Sequence, residues 1–115
     1  MLDLSKLKAL SLPEKEIEVD VMGESQTLKI RALDDETAMK IAGIMAGENT
    51  KDEEREILVR RMAVEKGAPE LSSDDIDLLM SRGASVITKI CAEVASLTKE
   101  FNDARNLVRG EAEKN

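Results

Sequence analysis

The chain has no histidine, tryptophan or tyrosine, and only one phenylalanine, one cysteine and two prolines among its 115 residues. Each shortage removes a class of behaviour. Without histidine the usual acid–base side chain near neutral pH is missing, and no nucleophile motif or glycine-rich phosphate loop stands in for it. The composition therefore reads as a non-enzyme with no cofactor. One cysteine, Cys91, rules out an internal disulfide. With aromatics at 1%, the core must be built from Leu, Ile, Val, Met and Ala. No stretch approaches the ~20 apolar residues of a membrane span. Met1-Leu2-Asp3-Leu4 does not open a signal peptide, so the expectation is a soluble cytoplasmic protein with no membrane partner. Basic residues are also short: 17 against 24 acids, for a formal charge of -7. Nucleic acid is thereby an unsuitable partner, because phosphate binding needs clustered Lys and Arg.

What remains is ordinary in apolar content, 42%, and rich in charge, 36%. The length suits one domain with a single modest core. Residues 1–13 space Leu2, Leu4, Leu7, Leu10 and Leu12 loosely and end at Pro13, which predicts an N-terminal arm. Next, Ile17, Val19 and Val21 alternate with Glu16, Glu18 and Asp20, and Leu28, Ile30 and Ala32 alternate with Lys29 and Arg31. This is the period of two strands. Gly23 to Gln26 reads as the turn between them. The pair would set acids against bases on its polar face and need cover for its apolar face. The first and the long last helix are the expected cover.

Helical punctuation follows. Asp34 reads as an N-cap with Leu33 and Ala38 as a hydrophobic staple, the stripe Ala38, Ile41, Ala42, Met45 follows, and Gly47 stops it. Thr50 with Glu53 forms a capping-box pattern for a second helix with stripe Leu58, Val59, Met62, Ala63, stopped by Gly67 and Pro69. Ser72 with Asp75 caps a short third helix on Ile76, Leu79 and Met80, closed by Gly83. The fold class expected is α+β, mostly α: an N-terminal two-stranded hairpin and about four helices. The expected division is an arm at 1–13, a hairpin-plus-helices domain at 14–98 and a helical extension with a polar tail at 99–115.

The final segment spaces Ile87, Ile90, Val94, Leu97, Phe101, Ala104 and Val108 by alternating threes and fours, a heptad seam. A single helix from Ala84 to Arg109 would be about 39 Å long, against a radius of gyration of about 13 Å for a domain this size. Such a helix overhangs the body, or breaks near Thr98 to start another. The seam packs internally, or its distal part meets another chain. Leu97, Phe101, Ala104, Leu107 and Val108 are the candidate partner-binding residues, since Phe101 is the sole aromatic and aromatics anchor interfaces. The hairpin edges are a second candidate, because an unpaired strand can accept another, although Lys and Glu along them argue for guarded edges. Catalytic, metal and cofactor-binding residues are not expected. Cys91 sits beside Ile90 and reads as a small buried hydrophobe. The acids at Asp34-Asp35-Glu36, Asp52-Glu53-Glu54 and Asp74-Asp75 all fall at helix N-termini, where they complement the dipole, and none has calcium-loop spacing.

A short hairpin, then "RALDDETAMKIAGI", then "GAPELSSDDIDLLMSRGASVITKICAEVASLT" is an order of elements that resembles the tail assembly chaperones of long-tailed bacteriophages and prophages. The resemblance spans roughly Glu16 to Thr98 and rests on element order and punctuation, since that family carries no catalytic motif. It implies a non-enzymatic role in virion assembly in the host bacterial cytoplasm. There the chaperone would bind and solubilise the tape measure protein while the tail tube forms. The tail tube protein and further copies of the chain are additional candidate partners. The C-terminal seam matches no family position. Two other classes stay open: a tail or connector structural subunit that remains in the virion, and a small dimeric adaptor.

Overall fold

A computed structural model describes residues 2–6, 10–47 and 51–113, with side chains through Arg105. Two strands, β1 (Glu14–Val21) and β2 (Glu24–Arg31), precede four helices: α1 (Asp35–Ala46), α2 (Asp52–Gly67), α3 (Ser73–Arg82) and α4 (Ala84–Glu113). The expected α+β class and its element order are observed. No helix among the described residues is long and apolar enough to cross a membrane.

The strands pair antiparallel, with Ile17 opposite Leu28, Val19 opposite Gln26 and Lys15 opposite Ile30. These pairs put Ile17, Val19, Leu28 and Ile30 on the buried face. The turn is tighter than the sequence suggested. It consists of Met22 and Gly23 alone, at φ 54° and 84°, the two positive φ angles of a type I′ hairpin. Asp20 Oδ1 accepts the Gly23 N–H at 2.7 Å and holds the turn closed. Gly23 takes that φ freely, whereas Met22 is strained there. On the outer face Lys29 pairs with Glu14 at 3.4 Å, acid against base as the alternation implied.

The cover for the hairpin is α4, which lies against both strands, and α2, which reaches β2. α1 packs along α2 and makes no backbone approach to the sheet, and its first turn is tied to α4 by side chains; the expectation that the first helix covers the hairpin is corrected. The reason lies in the link from β2 to α1. Thr98 Oγ1, buried on α4, accepts the Leu33 N–H at 2.9 Å and donates to the Val94 carbonyl at 2.7 Å. That contact fixes where α1 starts, beside α4 and beyond the end of the hairpin. It also places Thr98 inside one continuous helix, so α4 does not break there. At 30 residues α4 is about 45 Å long, and the molecule measures 52 × 38 × 22 Å with a radius of gyration of 16.4 Å. The helix overhangs the body.

The core is aliphatic, with Ile30, Val64, Ile87, Ile90 and Val94 at its centre. Three of these belong to the first half of the α4 seam, which therefore packs internally. Burying such side chains contributes roughly 1.5–3 kcal/mol each before ordering costs. Local punctuation is largely as read. Asp34 Oδ1 accepts the Thr37 N–H at 2.8 Å. Ser72 and Asp75 form a reciprocal capping box, and Ile76, Leu79 and Met80 face the core. α2 starts from Lys51 with no side-chain capping bond, and Thr50 lies outside the described residues. Gly67 does more than end α2. It is the point where α2 crosses α4, and a Cβ there would stand 2.6 Å from Val94 Cγ2.

Candidate interaction surface

The α1–α2 pair turns out to be the unusual part of the surface. α1 carries Ala38, Met39, Ile41, Ala42, Ile44, Met45 and Ala46, more apolar side chains than one helix face can hold. With 100° between successive residues, they spread over more than half of the helix circumference. Contact with α2 and the core takes the arc of Thr37, Ile41 and Ile44, of which only Thr37 is fully buried. Met39 and Met45 are left 74% and 59% exposed, with Ala42 and Ala46 also exposed. The expected stripe Ala38, Ile41, Ala42, Met45 is thus rotated. On α2 the expected stripe holds for Ala63, which is buried, and for Val59 and Met62, which are half-buried; the buried side extends to Val64 and Gly67, and Leu58 is exposed. Ile57 and Leu58 stand 58% and 46% exposed.

Fixed charges frame these apolar faces. The Arg55 guanidinium closes the C-terminal end of α1 by donating to the Gly47 carbonyl while it pairs with Asp52. A shallow groove of about 440 Å³ runs there, between Met45 and Val59, with Glu56 and Arg60 on its rim. Glu36–Lys40 and Glu56–Arg60 pair along their own helices at 3.5 and 2.6 Å. At the other end, Arg105 of α4 grips Asp35 with two hydrogen bonds of 3.0 and 2.8 Å. The guanidinium beside it holds the Asp35 carboxyl below its ordinary value, and the Arg105 pKa is raised in turn. Asp34 is also lowered, first by its capping bond with Thr37. The first acidic cluster thus has two structural duties, capping and holding α4.

The residues singled out on the C-terminal seam divide. Leu97 is buried in the core. Phe101 is half-buried against that core, its ring lying 4.5 Å beneath the Arg105 guanidinium. Ala104 is exposed. The side chains of Leu107 and Val108 lie outside the described residues, on the backbone of the overhanging end of α4. The structure therefore brings Leu97 and Phe101 together on the inner side and leaves Ala104 outward. Cys91 is half-buried, its thiol directed at the Arg60 carbonyl 3.8 Å away, and burial pushes its pKa up. Both facts fit an unreactive thiol.

Sequence reasoning missed the outward faces of Met39, Met45, Ile57 and Leu58. A signal was present: the apolar residues of α1 span more than half of its circumference, wider than the single stripe that a surface helix buries against its own core. No protein-family model, curated protein or solved structure matches the chain.

Proposed function

We propose that the chain is a non-enzymatic tail assembly chaperone that binds and solubilises the tape measure protein of a long-tailed phage or prophage. The observation that carries this reading is the exposed Met39, Met45, Ile57 and Leu58 on the outer faces of α1 and α2. A tape measure protein is a long helical chain destined for the inside of a tube, and before assembly it leaves apolar helical stripes uncovered. Methionine suits such a client, because its unbranched, polarizable side chain adapts to many apolar shapes. A binding helix laid on these faces would meet side chains at helical spacing, the mode in which one helix seats in a groove. The net charge of -7 keeps loaded complexes apart in solution. Weak sites repeated along one long client then sum to coating through local concentration.

Coexpression tests the reading. The tape measure protein of the same phage, produced with this chain, should move into the soluble fraction. Met39→Asp with Met45→Asp, both outward changes, should melt like wild type yet solubilise less client. Phe101→Asp with Val108→Asp probes the C-terminal seam and is read beside a melt, because Phe101 packs against the core and its change should lower the melting temperature. If wild-type chain leaves the soluble fraction of the client unchanged, the chaperone reading fails and a structural subunit, found in purified virions by mass spectrometry, takes its place.

A further inference from the structure

The hairpin has two edges, and they are treated differently. The two-residue turn makes Val21–Glu24 a hydrogen-bonded pair, and alternation then turns the backbone groups of every second residue outward. On β2 these belong to Ser25, Thr27, Lys29 and Arg31, and that edge is partly covered: the Lys29 N–H donates to Glu70 Oε1 at 3.0 Å, from the turn that joins α2 to α3. The Ala32 N–H donates to the Pro13 carbonyl at 3.0 Å, which confirms the phase of the alternation. On β1 the outward groups belong to Glu14, Glu16, Glu18 and Asp20. Among the described residues, nothing outside the hairpin bonds to them. A groove of about 350 Å³ runs along this edge, walled by Glu18, Val19 and Asp20 on one side and floored by Ser85, Val86 and Lys89 of α4.

We propose that the free edge of β1 is a docking edge that takes an extended segment of alternating basic and apolar residues as a third strand. Charge selects this occupant. The residues with outward backbone groups are all acidic and point to the outer face, so an added strand must bring Lys or Arg opposite them. On the inner face the added strand would continue the row of Ile17, Val19 and Val21 above Val86, which calls for apolar side chains. A base is unwelcome there, because Lys15 and Lys89 already flank the inner side and share Glu93 at 3.2 and 3.5 Å. A second copy of the chain is disfavoured, since β1 against β1 would set acid opposite acid. The inference stands apart from the chaperone reading: it concerns a different face, and its test requires no tape measure protein.

The test uses the full chain, nitrogen-15 labelled, and a short blocked peptide of alternating lysine and valine. Amide signals of Glu16, Glu18 and Asp20 should shift on titration and become protected from exchange, while those of Thr27 and Ser25 stay in place. The same peptide with glutamate for lysine should not bind, and added salt should weaken the basic one. Glu16→Lys with Glu18→Lys should weaken binding by about tenfold, through cross-strand pairs turned from attraction to repulsion. Glu18→Pro removes an edge donor that the hairpin ladder does not use and should abolish binding while the melting temperature holds. Should that variant fail to fold, a peptide N-methylated along its docking side gives the same answer from the other partner. Edge amides unmoved at millimolar peptide, or equal binding of both charge signs, overturn the proposal. A concentration-dependent dimer of the unmixed protein that protects β1 overturns it in favour of a second copy. Binding that emerges only after residues 1–11 are removed assigns the edge to the N-terminal arm instead.

Discussion

Replacing Gly67 by alanine sets two effects against each other, and the structure decides between them. Alanine gains up to about 1 kcal/mol over glycine inside a helix, although Gly67 is the last residue of α2 and collects only part of that. Against the gain stands a collision. The added Cβ would lie 2.6 Å from Val94 Cγ2, 2.8 Å from Cγ1 and 3.2 Å from Cβ. Carbon atoms rest at about 3.5–4.0 Å, so the helices must part by roughly 1 Å. Val94 cannot rotate away cheaply, because valine in a helix holds one χ1 rotamer about 90% of the time and Val94 is fully buried. Overpacking of this kind costs about 1–3 kcal/mol. We expect Gly67→Ala to lose about 1–2 kcal/mol net, a drop in Tm of about 4–8 °C, read by circular dichroism. In a Val94→Ala background the same change should cost nothing or stabilise, a coupling between contacting residues. Gly67→Ala melting at or above wild type with Val94 in place would refute the close crossing of α2 and α4.

Other substitutions probe the remaining joints. Ile30→Asp places a charge at a fully buried position on the inner face of the hairpin and should cost several kcal/mol of a typical total of about 5–15; a melt within a degree or two of wild type would contradict that burial. Thr98→Val keeps the shape but strips the acceptor from the Leu33 N–H, a loss of about 1–3 kcal/mol. Exchange of the Leu33 amide should accelerate with it, and an unchanged rate would mean the bond is dispensable. Asp35 has a carboxyl pKa lowered in the fold by Arg105, so the unfolded chain takes up the proton first as pH falls. Its stabilising contribution is complete above the ordinary value of 3.8 and drains away as pH falls through that value and below. The Tm difference between wild type and Asp35→Asn should therefore narrow from pH 7 to pH 3; a constant or widening gap would rule out the pairing as a source of stability.

The parts of the fold legible in the sequence are those set by neighbouring residues. Strand alternation put Ile17, Val19, Leu28 and Ile30 on one face, and the caps at Asp34 and Ser72 depend on side chains within three positions of their partners. The orientation of α1 and α2 was not local in this sense. α1 has apolar residues over more than half of its circumference, so its periodicity leaves open which part of that arc turns inward, and α2 mixes Ile57, Leu58 and Val59 in one run. Which side turns inward was settled by a tertiary bond between Leu33 and Thr98 and by the crossing at Gly67. Neither leaves a mark on the local pattern. The turn was misplaced because Met22 occupies a left-handed position that favours Gly, Asn or Asp. The candidate surface escaped notice for the same reason as the stripes: Met45 and Ala42 read as core, and Met39 beside them went unassigned, until the arc facing α2 was known.

The six methionines offer the most direct test of the central claim that the outer faces of α1 and α2 receive a helical client. Carbon-13 labelling of their methyl groups gives each an assignable signal. Titration with a helical segment of the tape measure protein should shift or broaden Met39 and Met45, which are exposed on α1, and leave half-buried Met62 and Met80 in place. Met22, exposed at the hairpin tip, is the control for non-specific contact and should also stay unchanged. Signals of Met39 and Met45 that hold still with the client in excess, or that move only together with Met22, would contradict the account.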